Sequence, residues 1–241
     1  LIKFIDAQDV LSIQVHPDDI TAEERHNAYG KTEMWYVVEA EDGAELISGF
    51  KIDCNKQDYL TALRSGGLKE LLNIEKVQPG DVFFIPAGRV HAIGSGILLA
   101  EIQQTSDVTY RIYDWGRVDN EGNPRELHTD LATDVINFKA EENYKTDYDI
   151  VPNKTVNLVE CNYFKTNILD FEGSVEKDYN LIDSFVIYMC IEGEFKIHSD
   201  ADVVEKVKKG ETVLIPAVLK NLVLEAEGQT KLLEVYIPDK N

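Results

Sequence analysis

The sequence predicts a predominantly all-β protein made of two β-barrels, the first carrying a small helical insertion. Three observations lead there. Segments rich in Val, Ile, Phe and Tyr recur along the 241 residues, with glycine turn signals beside them. The carboxy-terminal half partly repeats the amino-terminal half. One segment near 54–74 has helix-like rather than alternating spacing.

The strands follow in order. LIKFIDA opens the chain, and LSIQVH (11–16) and MWYVVEA (34–40) follow. DYLTALRSGGLKELLNI (58–74), broken by Gly66 and Gly67, reads as one or two short helices between strands. DVFFIPA (81–87), FVIYMCI (185–191) and TVLIPA (212–217) resume the β pattern, with Gly43, Gly80, Gly88, Gly193 and Gly210 as turns. Such spacing suits a sandwich or barrel. PGDVFFIPAGRVH (79–91) aligns with KGETVLIPAVLKN (209–221) at an offset of 130, and WYVVEAEDG (35–43) with FVIYMCIEG (185–193) at an offset of 150. An insertion in one barrel explains the difference. The expected domains are 1–140, with the insert, and 141–241, joined by a linker within the charged stretch 139–155.

Acids outnumber bases 44 to 24, for a net charge of −20. This argues against nucleic acid, whose phosphates need clustered Lys and Arg, and against an anionic membrane surface. A small anionic substrate remains compatible, because a few cations in a cleft outweigh a distant acidic surface. Cys54, Cys161 and Cys190 show no paired spacing, so neither a disulfide framework nor a thiolate metal site is expected. A reducing, cytoplasmic setting follows as the expectation. Neither a transmembrane run nor a signal-peptide pattern is present. The chain starts at Leu1, already inside a strand, which suggests a fragment lacking an amino-terminal part.

The densest chemical signal is GDVFFIPAGRVH, a G-x5-P-x-G-x2-H frame over residues 80–91. Pro86 fixes φ as the strand ends. Gly88 permits a turn that a side chain would obstruct. His91 then opens the next strand. This frame resembles the second motif of the cupin barrels, which are jelly rolls. For the first motif, Gln14-Val15-His16 puts two side chains on one strand face, and Glu33 precedes the strand at 34–40. Gln14, His16, Glu33 and His91 would form a mixed nitrogen–oxygen site. That donor set suits Zn(II), with iron or manganese also compatible. A lone buried histidine is more often a hydrogen-bonded core residue; the frame, the Q-x-H pair and Glu33 together outweigh that reading. His26, His128 and His198 lack such partners. In the second repeat Asn221 stands for the histidine, Val218 for the glycine and Asp183 for Glu33, so that barrel is expected to be metal-free and structural.

QVHPDD (14–19), KTEMWYV (31–37), PAGRVHAIG (86–94) and QQTSDVTYRIYDWGR (103–117) together resemble the type I mannose-6-phosphate isomerases in their short bacterial form. The resemblance implies interconversion of mannose 6-phosphate and fructose 6-phosphate through a cis-enediol(ate), with one zinc ion on Gln14, His16, Glu33 and His91. It further implies active-site roles for Arg111, Lys31, Glu101 and Asp107. Arg111 would stabilise charge or hold a substrate oxyanion. Lys31 would assist ring opening or proton transfer. Glu101 or Asp107 would act as base or orient Arg111. Two departures stand out. Gly30 occupies the place where long relatives carry histidine, and the insert is smaller than their helical domain. A metal-binding cupin that holds sugar or sugar phosphate without turnover is the alternative, and a metal-dependent cupin oxygenase a further one. The expected partner is a small phosphosugar. The sequence fixes no oligomeric state, with a monomer or weak dimer expected.

Overall fold

The computed structural model describes residues 1–199 and 204–238. The chain divides into two compact units, Leu1–Thr146 and Asp147–Asn241. Both are built mainly of strands, the all-β cupin architecture.

In the first unit, β1 (Ile2–Ala7), β2 (Ile13–Val15), α1 (Asp19–His26), β3 (Glu33–Ala40) and β4 (Glu45–Phe50) come first. The insertion α2 (Lys56–Ser65), α3 (Leu68–Leu71) and β5 (Leu72–Lys76) follows. Then come β6 (Val82–Ile85), β7 (His91–Ala92), β8 (Ile97–Gln103), β9 (Tyr110–Tyr113) and α4 (Thr129–Val135). The strands form two antiparallel sheets, ordered β1-β8-β3-β6 and β5-β4-β7-β2-β9. Alternation sorts the faces of the second sheet. Ile13, Val15, Ile47, Ala92, Tyr110 and Ile112 point outward and pack with Tyr59, Leu68 and Ala132 of the helices. Leu46 and Ile93 point inward to Trp35, Val37, Phe83 and Leu99 of the other sheet. Each such side chain contributes about 1.5–3 kcal/mol by leaving water. One end of the barrel interior is thus hydrocarbon, and the polar residues gather at the other.

The helical insertion is real but shorter than 54–74. Residues 72–74 belong to β5, because Leu72 pairs with Phe50 and Ile74 with Ile47. Asn55 and Asp58 form a capping box at the start of α2, and Gly66 at φ +78° ends it. Two helices had no counterpart in the sequence expectations, α1 and α4. Asp18 caps α1 by accepting from Thr21 N at 2.9 Å. The strand expected over 11–16 contracts to Ile13–Val15.

The second unit contains β10 (Thr155–Glu160), β11 (Lys165–Asp178), β12 (Val186–Glu192), β13 (Glu194–Ser199), β14 (Val204–Lys208), β15 (Thr212–Ile215) and β16 (Asn221–Tyr236). They make one antiparallel sheet ordered β10-β11-β16-β12-β15, with β13 paired to β14 and β16. Strands β11 and β16 are long rather than short, and a register shift at Phe171/Gly173 bends the pair, with Gly173 at φ +76°. Leu169, Phe171, Tyr188, Phe195, Leu224 and Leu232 fill the core. Beside them Glu234 is buried and fully engaged. It takes Asn167 Nδ2 at 2.8 Å, Lys177 Nζ at 2.6 Å and the Tyr179 hydroxyl, which also meets the Tyr188 hydroxyl.

Candidate metal centre

Strand register brings distant residues into two rows facing the first barrel's interior. On one sheet Ser48 pairs with His91, His91 with Gln14, and Gln14 with Arg111. On the other, Lys3 pairs with Glu101 and Glu101 with Trp35, while Gln103 pairs with Glu33. The glycine frame sets His91 in place. Gly88 sits at φ +86°, and a Cβ there would come within 2.9 Å of Val135 O, so only glycine fits the turn. Gly88 N also donates to His16 O at 2.9 Å, tying this turn to β2.

His16, Glu33 and His91 are all buried, and their candidate donor atoms lie within 4.8 Å of one another. His16 Nδ1 donates to Val108 O at 3.0 Å and His91 Nδ1 to Arg89 O at 2.8 Å. A carbonyl can only accept, so both Nδ1 atoms carry the proton and both Nε2 lone pairs face inward. Glu33 Oε1 stands 3.5 Å from His91 Nε2, and Oε2 stands 3.6 Å from His16 Nε2. His16 Nε2 and Glu33 Oε1 are buried without a hydrogen bond, and Glu33 Oε2 is buried beside the Lys31 ammonium. Each unbonded atom costs about 1–3 kcal/mol, which a ligand shared between the two would offset. Two imidazole nitrogens and a carboxylate fit a divalent cation.

The electrostatics agree. Burial pushes His16 well below the usual imidazole value, reinforced by His91 and Lys31. Burial pushes His91 down to about 4. Both rings are therefore neutral and able to donate a lone pair near pH 7. Burial and the nearby Glu101 raise Glu33 to about 7, opposed by Lys31.

The remaining expected residues are placed as follows. The Gln14 amide lies over His91, its Nε2 3.3 Å from His91 Nε2 and its Oε1 3.5 Å from Ser12 Oγ. A half-turn of the amide exchanges nitrogen and oxygen in the same volume. Lys31 is buried, with Nζ 3.0 Å from Glu33 Oε2. Glu101 is buried, with Oε1 2.7 Å from Lys3 Nζ and Oε2 accepting from Trp35 Nε1 at 3.1 Å. Burial alone would raise its carboxyl, but Lys31, Lys3 and Trp35 hold it below the usual range. Arg111 donates from Nη1 to Glu126 O at 2.9 Å, while its Nε is buried without a partner. Asp107 is exposed, on the β8–β9 loop, one residue before the carbonyl that orients His16.

Sequence reasoning missed Lys3, which bridges Glu101 at 2.7 Å and Gln103 at 2.5 Å. The available signal was alternation: Lys3 shares a strand face with Ile5 and Ala7, so it points inward. It also missed Ser48, whose buried hydroxyl has no partner and which sits across from His91. The cations are unequal in availability. Arg89 bonds Phe84 O and Glu141 and packs over Tyr144, and Arg117 is held by Asp114 and Val10 O. No helix among the described residues is long and apolar enough to cross a membrane.

A family model for the cupin domain of mannose-6-phosphate isomerase matches residues 154–237. Mannose-6-phosphate isomerase ManA of Bacillus subtilis (strain 168) is 39% identical over 232 residues, covering 95% of this chain and 72% of that protein. Mannose-6-phosphate isomerase of Streptococcus mutans is 34% identical over 222 residues, 92% of this chain and 69% of the relative. The crystal structure of mannose 6-phosphate isomerase from Bacillus subtilis superposes with a TM-score of 0.86 at 32% identity, over 98% of this chain and 74% of that one.

Proposed function

The chain belongs to the type I mannose-6-phosphate isomerases of the cupin superfamily, and we propose that its first barrel holds one zinc ion on Gln14, His16, Glu33 and His91. The activity is that of an aldose–ketose isomerase interconverting mannose 6-phosphate and fructose 6-phosphate. The reaction is metal-dependent. Zinc is the finer assignment, favoured by two imidazoles, a carboxylate and an amide oxygen. The observation that carries the reading is the convergence of His16 Nε2, His91 Nε2 and the Glu33 carboxylate in one buried cluster.

A bound divalent cation supplies Lewis-acid polarisation of the C1 and C2 oxygens of the open-chain sugar. The protein's side chains do the rest. Lys31, beside Glu33, and Lys3, beside Glu101, bring positive charge toward the developing enediolate and the phosphate of the substrate. Arg111, held at Nη1 by Glu126 O, offers its Nε side to an oxyanion. Isomerisation moves the C2 proton to C1, which needs a base. Both Glu101 oxygens are engaged, by Lys3 and Trp35. Of the two carboxylates expected to serve as base, Glu101 is thus occupied, and the exposed Asp107 on the β8–β9 loop is the one proposed to carry the proton. The second barrel acts as a structural partner domain.

The experiment joins metal analysis to an isomerase assay with mannose 6-phosphate in deuterated water. An isomerase of this kind labels the substrate carbon, loses turnover on chelation and regains it with zinc. His91→Ala should lose metal and turnover together. His91→Ala protein that still binds zinc normally, or that stays active without metal, would overturn the assignment.

A further inference from the structure

The chain leaves β9 at Asp114, runs through an excursion of exposed residues, and returns beside Arg111 at Glu126–His128. The return is tightly registered. His128 N donates to Arg111 O at 2.7 Å, and Arg111 N donates to His128 Nδ1 at 3.1 Å. Asp114 closes the excursion at its base. Its carboxylate takes Arg125 Nε at 2.7 Å and Nη2 at 2.5 Å, a two-point clasp, and Arg117 Nη2 at 2.5 Å. Arg117 also reaches Val10 O at 2.7 Å, which anchors the clasp to the segment between β1 and β2. Asp114 is 6% exposed at the side chain, yet its carboxyl is pulled down to about 2, first by Arg125 and then by Arg117 against the opposing effect of burial. It therefore stays ionised at any working pH.

Arg125 is adjacent to Glu126, the residue whose carbonyl accepts Arg111 Nη1 at 2.9 Å. A guanidinium gripped at Nη1 keeps its Nε–Nη2 edge, the fork that suits a planar oxyanion. In this structure Nε has no protein partner. We propose that Asp114 and Arg125 are positioning residues for the isomerase reaction, fixing the Glu126 carbonyl and through it the direction in which Arg111 presents its fork. The inference rests on the reading of Arg111 given above. Neither Asp114 nor Arg125 touches substrate on this account. Displacing a catalytic group by about 1 Å can cost up to about 10²-fold.

The test is a double-mutant cycle on the zinc-loaded protein, reading kcat and KM for mannose 6-phosphate together with bound metal. Asp114→Asn and, separately, Arg125→Gln should each lower kcat by about 10- to 100-fold with metal content unchanged. Arg125 is half-exposed, so its variant reports even where Asp114→Asn folds poorly. In chains already carrying Arg111→Ala, the same two changes should alter kcat by less than about two-fold, because the group they position is gone. Equal falls in both backgrounds would make the clasp a general stabiliser and overturn the inference, as would an unchanged kcat. If Arg111→Ala alone leaves kcat intact, the role of Arg111 itself fails and takes the inference with it, a result separable from the others.

Discussion

Lys3→Met isolates the charge contribution at the mouth of the barrel. Lys3 Nζ lies 2.7 Å from Glu101 Oε1, and Glu101 is 5% exposed against 38% for Lys3. Stranding a buried carboxylate costs about 3–5 kcal/mol when its partner is removed. The half-open lysine is screened, and Trp35 Nε1 remains, so about 1–3 kcal/mol is the expected loss. Its pH dependence has a definite sign. Glu101 is held below 4.5 in the folded protein, so the stabilisation is present above that value and lost as pH falls through the folded value. The loss caused by Lys3→Met should therefore be full at pH 8 and shrink as pH falls below 4.5 and through the folded value of Glu101. Urea unfolding with chelator present, followed by tryptophan fluorescence, measures it. Trp35 and Trp115 both lie in the first unit, so the second is silent. A loss that stays constant from pH 8 down through the whole carboxylate range would show that Lys3 acts by packing and not by its charge.

Two further outcomes follow from other clusters. Tyr179→Phe removes one donor from buried Glu234 and one neighbour from Tyr188, which should cost the second unit about 1–3 kcal/mol by circular dichroism while turnover stays unchanged. Asp114, at about 2 against 3.8 unfolded, should add about 1–2 kcal/mol above pH 4, after discounting for the exposed Arg125. That increment should disappear as acid titration approaches pH 2, and in Asp114→Asn it should be missing throughout.

The cluster of His16, Glu33 and His91 was legible from local spacing. The turn at Gly88 requires glycine, and Gln14 and His16 share a strand face by period alone. Lys3 was not legible as a site residue, since its partner Glu101 is set by β1–β8 register across the length of the barrel. The repeat was legible over 209–221, but the 150-residue offset upstream is corrected by the strand register, which sets Tyr188 rather than Phe185 against Trp35 and Val186 rather than Asp183 against Glu33. The row Phe83–Trp35–Glu101–Lys3 of the first sheet is matched by Val213–Tyr188–Glu234–Asn167 in the second. A buried glutamate occupies the same place in both, with Lys177 supplying the cation from further along its strand. Insertions of different length in each half hide that correspondence from any fixed offset. Helices α1 and α4 escaped for a simpler reason: both are short, and α1 is polar, so periodicity is weak over their two turns.

On the proposal above, four side chains of the first barrel clasp one zinc ion. Anomalous diffraction at the zinc edge from crystals of the zinc-loaded protein tests it directly. One peak should lie about 2.0–2.2 Å from His16 Nε2, His91 Nε2 and a Glu33 oxygen, with the Gln14 amide oxygen completing the set. A peak elsewhere in the chain, or none between those groups in crystals grown with zinc, would contradict it.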